Sequence, residues 1–395
     1  MNVVEIEDEH GPASYQKFPV TIVRGAGAEV WDDSGQKYVD CMGGYGVAIV
    51  GHCNPEVVAA IKAQSEKLIT CHSSFYNDAR AEFLEKLTTR APKGLDAAFL
   101  SNSGAEANEV AIKLAKKFTG KKTIVAMKGG FHGKTAAALS ATWNKKYKEP
   151  FEPLLPGFKH VEFGSLGELE ATVDDDTSAV MLEPIQGESG IILPPEGYLK
   201  GVRELCDRKG ILLIADEIQT GLGRTGKLWA LENWGVVPDV MTLAKGLAGG
   251  VPMGATLARR EVLHSLKKGE QSSTFGGNPL ACAAGTATLD YISKQDLPSQ
   301  AASKGRFFQE KLKALIARHR SAREVRGMGL MLALEMRVDI HDILLNSIKE
   351  RVLFTYSGRT IVRLLPPLVI TEAQMNAVVQ ALDKVLSEQE LKQVG

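Results

Sequence analysis

From Asn54 to about Ala258, apolar runs of strand length alternate with longer segments of helical period, which restricts the chain to an α/β architecture around a largely parallel sheet. Strands are expected over 97–100, 123–127, 179–183, 211–216, 240–243 and 255–258. Between them, a helix over 199–209 should be closed by Gly210, a residue suited to a left-handed end. Past Pro279 the pattern changes to a long helix over about 280–293, followed by strands over 330–335 and 360–364, and Thr371 with Gln374 forms a capping box for the last helix. A large domain over 51–280 and a smaller α+β domain built from 281–395 together with 1–50 are expected. Polar residues just beyond the strand ends then stand where open α/β sheets bind ligands.

Composition narrows the function classes. The 395 residues are 44% hydrophobic and 24% charged, with 47 basic and 47 acidic side chains, so disordered and fibrous classes are excluded and no global field favours nucleic acid or an anionic membrane. The segment Met1 to His10 is acidic where a secretory signal would be basic, and no apolar run approaches membrane-spanning length, so a cytoplasmic setting is expected. Five scattered cysteines (Cys41, Cys53, Cys71, Cys206, Cys282) form no metal-ligand spacing and read as reduced thiols.

Chemistry concentrates at two residues. The apolar run 211–216 ends in Asp216, and Lys245 stands downstream between an apolar run and Gly246-Leu-Ala-Gly-Gly250. A lysine can hold an aldehyde cofactor as a Schiff base, and a carboxylate against a pyridine nitrogen keeps it protonated, a combination that points to pyridoxal phosphate. Asn102-Ser-Gly-Ala-Glu-Ala-Asn-Glu109 follows a strand and opens a helix, whose free N–H groups at Ser103, Gly104 and Ala105 could cradle a phosphate; Ser103 could also be only a helix cap. Gly221-Leu-Gly-Arg-Thr-Gly226 matches the dinucleotide fingerprint in letters, but neither a strand directly before it nor a long helix after it supports that reading.

The segment from Leu212 to Gly250, with Asp216-Glu217, Gly221, Asp239 and Ala244-Lys245, resembles the signature of the class III pyridoxal-phosphate aminotransferases. The similarity extends from about Phe18 to the C-terminus and is greatest to the acetylornithine branch and its sister enzymes acting on lysine or ornithine held on an amino-group carrier protein. This resemblance implies the fold-type-I architecture and a homodimer with shared active sites. It also implies that Phe131 lies against the cofactor ring, that Gln219 meets the ring's 3-oxygen, that Glu217 supports its loop, and that Thr274, after Ser273, contacts the neighbouring subunit's cofactor phosphate. Taken alone, Phe131 could be a core anchor, Ser273-Thr274 a polar loop, and His132 a structural hydrogen-bonding residue.

At the substrate end, the resemblance implies that Arg363 pairs with the α-carboxylate of glutamate and that Glu188 masks it otherwise, although the two could form a static salt bridge. Lys134 stands where the acetylornithine branch has an arginine, so a point charge replaces a planar fork at the substrate's distal carboxylate. Trp143 and the lysines Lys145, Lys146 and Lys148 look more like the carrier-protein branch and could meet an acidic carrier, or could be a solvated turn. Tyr45 matches a pocket-lining position of ornithine-type relatives. The expected reaction moves a terminal amine from carrier-linked lysine, and possibly ornithine, to 2-oxoglutarate. N-acetylornithine is the alternative donor and free ornithine the third; an aminomutase and a silent binding protein are the other readings.

Overall fold

Five strands carry apolar residues buried on both faces, as a parallel sheet sandwiched between helices requires. The computed structural model describes residues 2–394. Its central sheet has seven strands in the order Ala97–Ser101, Gly254–Ala258, Val240–Leu243, Leu212–Asp216, Thr177–Leu182, Thr123–Met127 and Phe158–Val161. Gly254–Ala258 runs antiparallel to both neighbours, and the remaining pairings are parallel. The sequence pattern located six of these strands to within two residues and missed Phe158–Val161.

Local chemistry sets the helix ends. Ser103 accepts the N–H of Glu106 and starts the helix Gly104–Thr119, which Gly120 ends at φ 71°. Helix Tyr198–Lys209 ends at Gly210 with φ 60°, where a side chain would be strained. The Gly221–Gly226 stretch opens no long helix; only a 3-10 turn over Ala230–Trp234 follows. Its buried Arg224 instead donates to the carbonyls of Leu330 and Pro366, tying the central sheet's loops to the C-terminal part of the chain.

Two smaller sheets flank the large one. Ile22–Ala26, Glu29–Asp32 and Lys37–Asp40 pair in sequence order, and Val352–Leu353 adds parallel to Lys37–Asp40, so the two ends of the chain share a sheet. Ala322–Met328, Met331–Met336, Ile361–Leu364 and Thr355–Ser357 form the other, antiparallel one, and Arg363 projects from its third strand. The capping box expected at the last helix is present, with Thr371 and Gln374 each accepting the other's backbone N–H. Among the described residues, no helix is long and apolar enough to cross a membrane.

Helix Pro279–Lys294 packs closely on helix Asp78–Arg90 at Gly285, where a Cβ would lie 2.5 Å from Phe83 Cε2. Alanine gains about 1 kcal/mol of helix propensity over glycine, but overpacking a core costs about 1–3 kcal/mol. Phe83 is fully buried and has no room to give. Gly285→Ala is therefore expected to lower the unfolding free energy by on the order of 1 kcal/mol, read as a lower denaturant midpoint at constant slope; an unchanged or raised midpoint would show that the interface can shift.

Candidate active site

The C-terminal ends of the central strands converge on one cavity of about 420 Å³, whose wall includes Ser103, Gly104, Ala105, Phe131, Asp216, Gln219, Lys245 and Glu188. Asp216 lies at its floor, 3% exposed. Its Oδ2 accepts from Asn108 Nδ2 at 2.8 Å and faces His132 Nδ1 at 2.8 Å, while its Oδ1 accepts the Ile218 N–H at 3.1 Å. Asn108 is itself fixed by donating to His132 O and accepting from the Thr242 hydroxyl. Burial would push the His132 imidazole down, but the hydrogen bond and charge of Asp216, with the charge of Glu183, outweigh it, and the net direction is up. His132 thus has the hydrogen-bonding position expected of it.

Lys245 begins the 3-10 turn after strand Val240–Leu243 with φ 47°, a left-handed conformation costly for a long side chain. Burial lowers its ammonium's pKa, reinforced by the positive charge of Arg363 and opposed by Glu188, Asp216 and Glu183. A buried lysine with its pKa brought down is more often the free amine, the form that acts as nucleophile and general base.

At the opposite end of the cavity, the N-terminus of helix Gly104–Thr119 leaves the Gly104 and Ala105 N–H groups without intrahelical acceptors, which favours an anion. Gln219 Oε1 is buried with no hydrogen-bond partner among the described residues, and a Cβ at Gly187 would come within 2.1 Å of it. Such an unsatisfied amide costs about 1–3 kcal/mol until a polar ligand group meets it. A carboxylate floor, an amine, an orphaned amide and a helix N-terminus around one cavity fit the ring and phosphate of pyridoxal phosphate.

Arg363 is fully buried, donating to Tyr356 O at 3.0 Å and Gly187 O at 3.1 Å, and its Nη1 stands 3.0 Å from Glu188 Oε1. The Glu188 side chain remains 29% exposed. Tyr45 lies in a left-handed run, Gly43 to Gly46, with φ 60° at the tyrosine, and its ring centroid is 6.0 Å from the Arg363 guanidinium. Phe131 meets Tyr147 edge-on at 5.9 Å. A second chamber of about 420 Å³ shares Phe131 and Glu188 with the first and extends to Trp143, Lys145 and Tyr147.

Several expected site residues lie outside this cavity. Lys134 is exposed, with its ammonium 4.8 Å above the Tyr147 ring rather than on the cavity wall. Thr274 is exposed outside the chain's own cavity, while Ser273 Oγ accepts from Asn102 Nδ2 and the Gly276 N–H. Lys145 and Lys146 are exposed, but Lys148 is half-buried and donates to Ser140 O, which takes it out of any basic docking surface. Glu217 accepts from Ala230 N, Leu231 N and the Thr220 hydroxyl, so it braces the following loop as expected; burial pushes it up to about 7. The sequence reading missed Asn108, although it stands in the quoted helix-opening motif, and Glu183, which looks like the end of a strand.

A family model for the class-III aminotransferases matches residues 10–386. The acetylornithine aminotransferase of Methanopyrus kandleri is 46% identical over 390 residues, covering 98% of each chain. The LysW-aminoadipate semialdehyde transaminase of Deinococcus radiodurans is 44% identical over 388 residues, covering 96% of this chain and 89% of its own. Among solved structures, the ornithine aminotransferase of Toxoplasma gondii superposes with a TM-score of 0.95 at 34% identity, covering 98% of this chain and 95% of its own. The acetylornithine aminotransferase of Elizabethkingia anophelis gives 0.88 at 34% identity, covering 98% of both chains. The chain belongs to the class-III aminotransferases and is a pyridoxal-phosphate-dependent enzyme of the corresponding α/β fold.

Removing Asn108 takes one donor from Asp216 and strands the Thr242 hydroxyl. Asn108→Ala is expected to weaken cofactor binding about tenfold, the scale of one unsatisfied buried group. Titration of the apoenzyme with pyridoxal phosphate measures it; an unchanged Kd would mean that His132 and Ile218 hold Asp216 sufficiently.

Proposed function

We propose that this class-III aminotransferase moves the terminal amino group of lysine held on an amino-group carrier protein, and of carrier-linked ornithine, to 2-oxoglutarate, giving the semialdehyde and glutamate in lysine and arginine biosynthesis. The observation that carries the two-substrate reading is Glu188, which lines one cavity with Lys245 and stands 3.0 Å from the buried Arg363. Arg363 is anchored by two backbone carbonyls, whereas Glu188 is the more exposed partner on a loop, so Glu188 is the one that can leave. A terminal amine brings no carboxylate to the reacting carbon and leaves the pair closed; glutamate brings one, and Arg363 takes it in a two-pronged fork.

When bound, pyridoxal phosphate supplies a ring that withdraws electrons from the substrate carbon. Asp216 would hold the ring nitrogen, Gln219 the 3-oxygen, Phe131 the ring face, and Ser103, Gly104 and Ala105 the phosphate. Lys245 Nζ would hold the aldehyde and, as a buried amine with its pKa brought down, would accept the proton that leaves the substrate carbon. Thr274 would serve a second copy's phosphate: Phe275 beside it is 64% exposed, and Phe75, tied through Arg80 to the Gly277 carbonyl of the same loop, is 71% exposed, aromatic surface that a homodimer would cover. A cytoplasmic setting accords with five free cysteines.

The carrier-linked donor is favoured by the second chamber, which leads from Glu188 past Tyr147 to the exposed Lys145, with Lys146 beside it. Relatives bearing carrier-specific names in Deinococcus radiodurans and Sulfurisphaera tokodaii, at 44% and 42% identity, support it. N-acetylornithine is the second reading, favoured by the 46% identity to the Methanopyrus kandleri enzyme of that name and by a chamber large enough for an acetylated end.

Steady-state rates with saturating 2-oxoglutarate are expected to show a higher kcat/KM for carrier-linked lysine and ornithine than for N-acetylornithine or free ornithine. A preference for N-acetylornithine would transfer the enzyme to the second reading. Lys245→Ala is expected to remain folded and lose turnover by several orders of magnitude. Near-normal turnover in that variant, without an added amine, would remove Lys245 from the chemistry.

A further inference from the structure

Glu183 stands just beyond strand Thr177–Leu182, 6% exposed on the cavity wall, and takes no part in the chemistry above. Its two oxygens serve two different loops: Oε1 accepts the Phe131 N–H at 2.9 Å, and Oε2 accepts the Gly187 N–H at 3.0 Å. The first loop bears the aromatic ring of the cofactor end. The second bears the Gly187 carbonyl that receives Arg363 at 3.1 Å, and Glu188 follows it directly.

The same two loops are laced again farther out, where Gln186 Nε2 donates to Lys128 O at 2.8 Å and Ser189 Oγ donates to Gly129 O. Those bonds join loop to loop, whereas Glu183 is fixed to the end of a sheet strand and so registers both loops against the rigid part of the molecule. Burial and the charge of Asp216 push its carboxyl up to about 7, against the pull of His132 and of the two N–H groups. A carboxylate there is costly, and what distinguishes it from the isosteric amide is its ability to accept at both ends.

We infer that Glu183 is a positioning residue that holds the Phe131 loop in register with the Gly187–Glu188 loop, so that admission of a dicarboxylate to Arg363 depends on a side chain that touches no substrate. The inference rests on reading Glu188 and Arg363 as the carboxylate gate. Glutamine in its place keeps volume and one acceptor but turns an NH2 toward a backbone N–H, which loosens one loop.

The test uses the cofactor-loaded enzyme, with the glutamate half-reaction and the amine-donor half-reaction followed separately for Glu183→Gln, Ser189→Ala and Glu188→Ala. Glu183→Gln is expected to keep its cofactor absorbance and raise the KM for glutamate about tenfold, the scale of one charge-assisted hydrogen bond, with less than about a threefold change for the amine donor. Ser189→Ala, which loosens the same loops from the outer side, should shift the ratio in the same direction by less. Equal losses in both half-reactions, or none, would overturn the inference, because a merely structural role predicts the first and no role the second. If Glu183→Gln fails to hold cofactor, Ser189→Ala decides, an unchanged ratio counting against the inference. Glu188→Ala separates the two ideas: if it leaves discrimination intact, the gate itself is wrong; if it abolishes discrimination while Glu183→Gln and Ser189→Ala do not, only the role of Glu183 falls.

Discussion

Burying a carboxylate is costly unless hydrogen-bond donors replace the lost water, and Asp216 meets that requirement by drawing four parts of the fold to one point. Asn108 comes from the helix after strand Ala97–Ser101, His132 from a glycine-bearing loop, Ile218 from the turn beyond Asp216, and Thr242, through Asn108, from the strand leading to Lys245. The helix N-terminus, the Phe131 loop and the lysine are therefore placed relative to one another by the satisfaction of one buried charge. A change at any of these donors reaches the others through that network.

Two buried arginines show how burial alone does not define a function. Arg224 donates to two main-chain carbonyls, and desolvation without a facing carboxylate brings its pKa down to about 9. It fastens a loop. Arg363 is as deeply buried and also uses carbonyls, but the Nη1 that donates to Gly187 O also meets Glu188, a side chain that is partly solvated. On the function proposed for this pair, a cation whose one acidic partner can withdraw into water is a conditional carboxylate site, whereas a cation bonded to fixed backbone is not.

Most strands legible in the sequence are buried on both faces and read as apolar runs: Thr123–Met127, Thr177–Leu182 and Leu212–Asp216 are buried throughout, while the edge strand Ala97–Ser101, half-buried over its first three residues, is legible because those residues are apolar. Phe158–Val161 forms the sheet's other edge, its first three residues only half-buried, and Lys159 and His160 conceal it. The short strands Glu29–Asp32 and Lys37–Asp40 mix charged and apolar residues for the same reason. Lys148 looked like its neighbours Lys145 and Lys146 because the pattern of charges does not say which lysine finds a carbonyl.

The sequence by itself determined the sheet's interior, the caps at Ser103, Gly120, Gly210 and Thr371, and the residue types of the site, because each depends on the chemistry of a few consecutive positions. Tertiary structure alone decided that Asn108 and His132 share Asp216, that Glu188 closes on Arg363 from 175 positions away, and that Glu183 joins two loops. These are contacts between segments that meet only once the sheet is assembled, and a side chain's identity states what it can bond to but not which partner the fold brings within 3 Å.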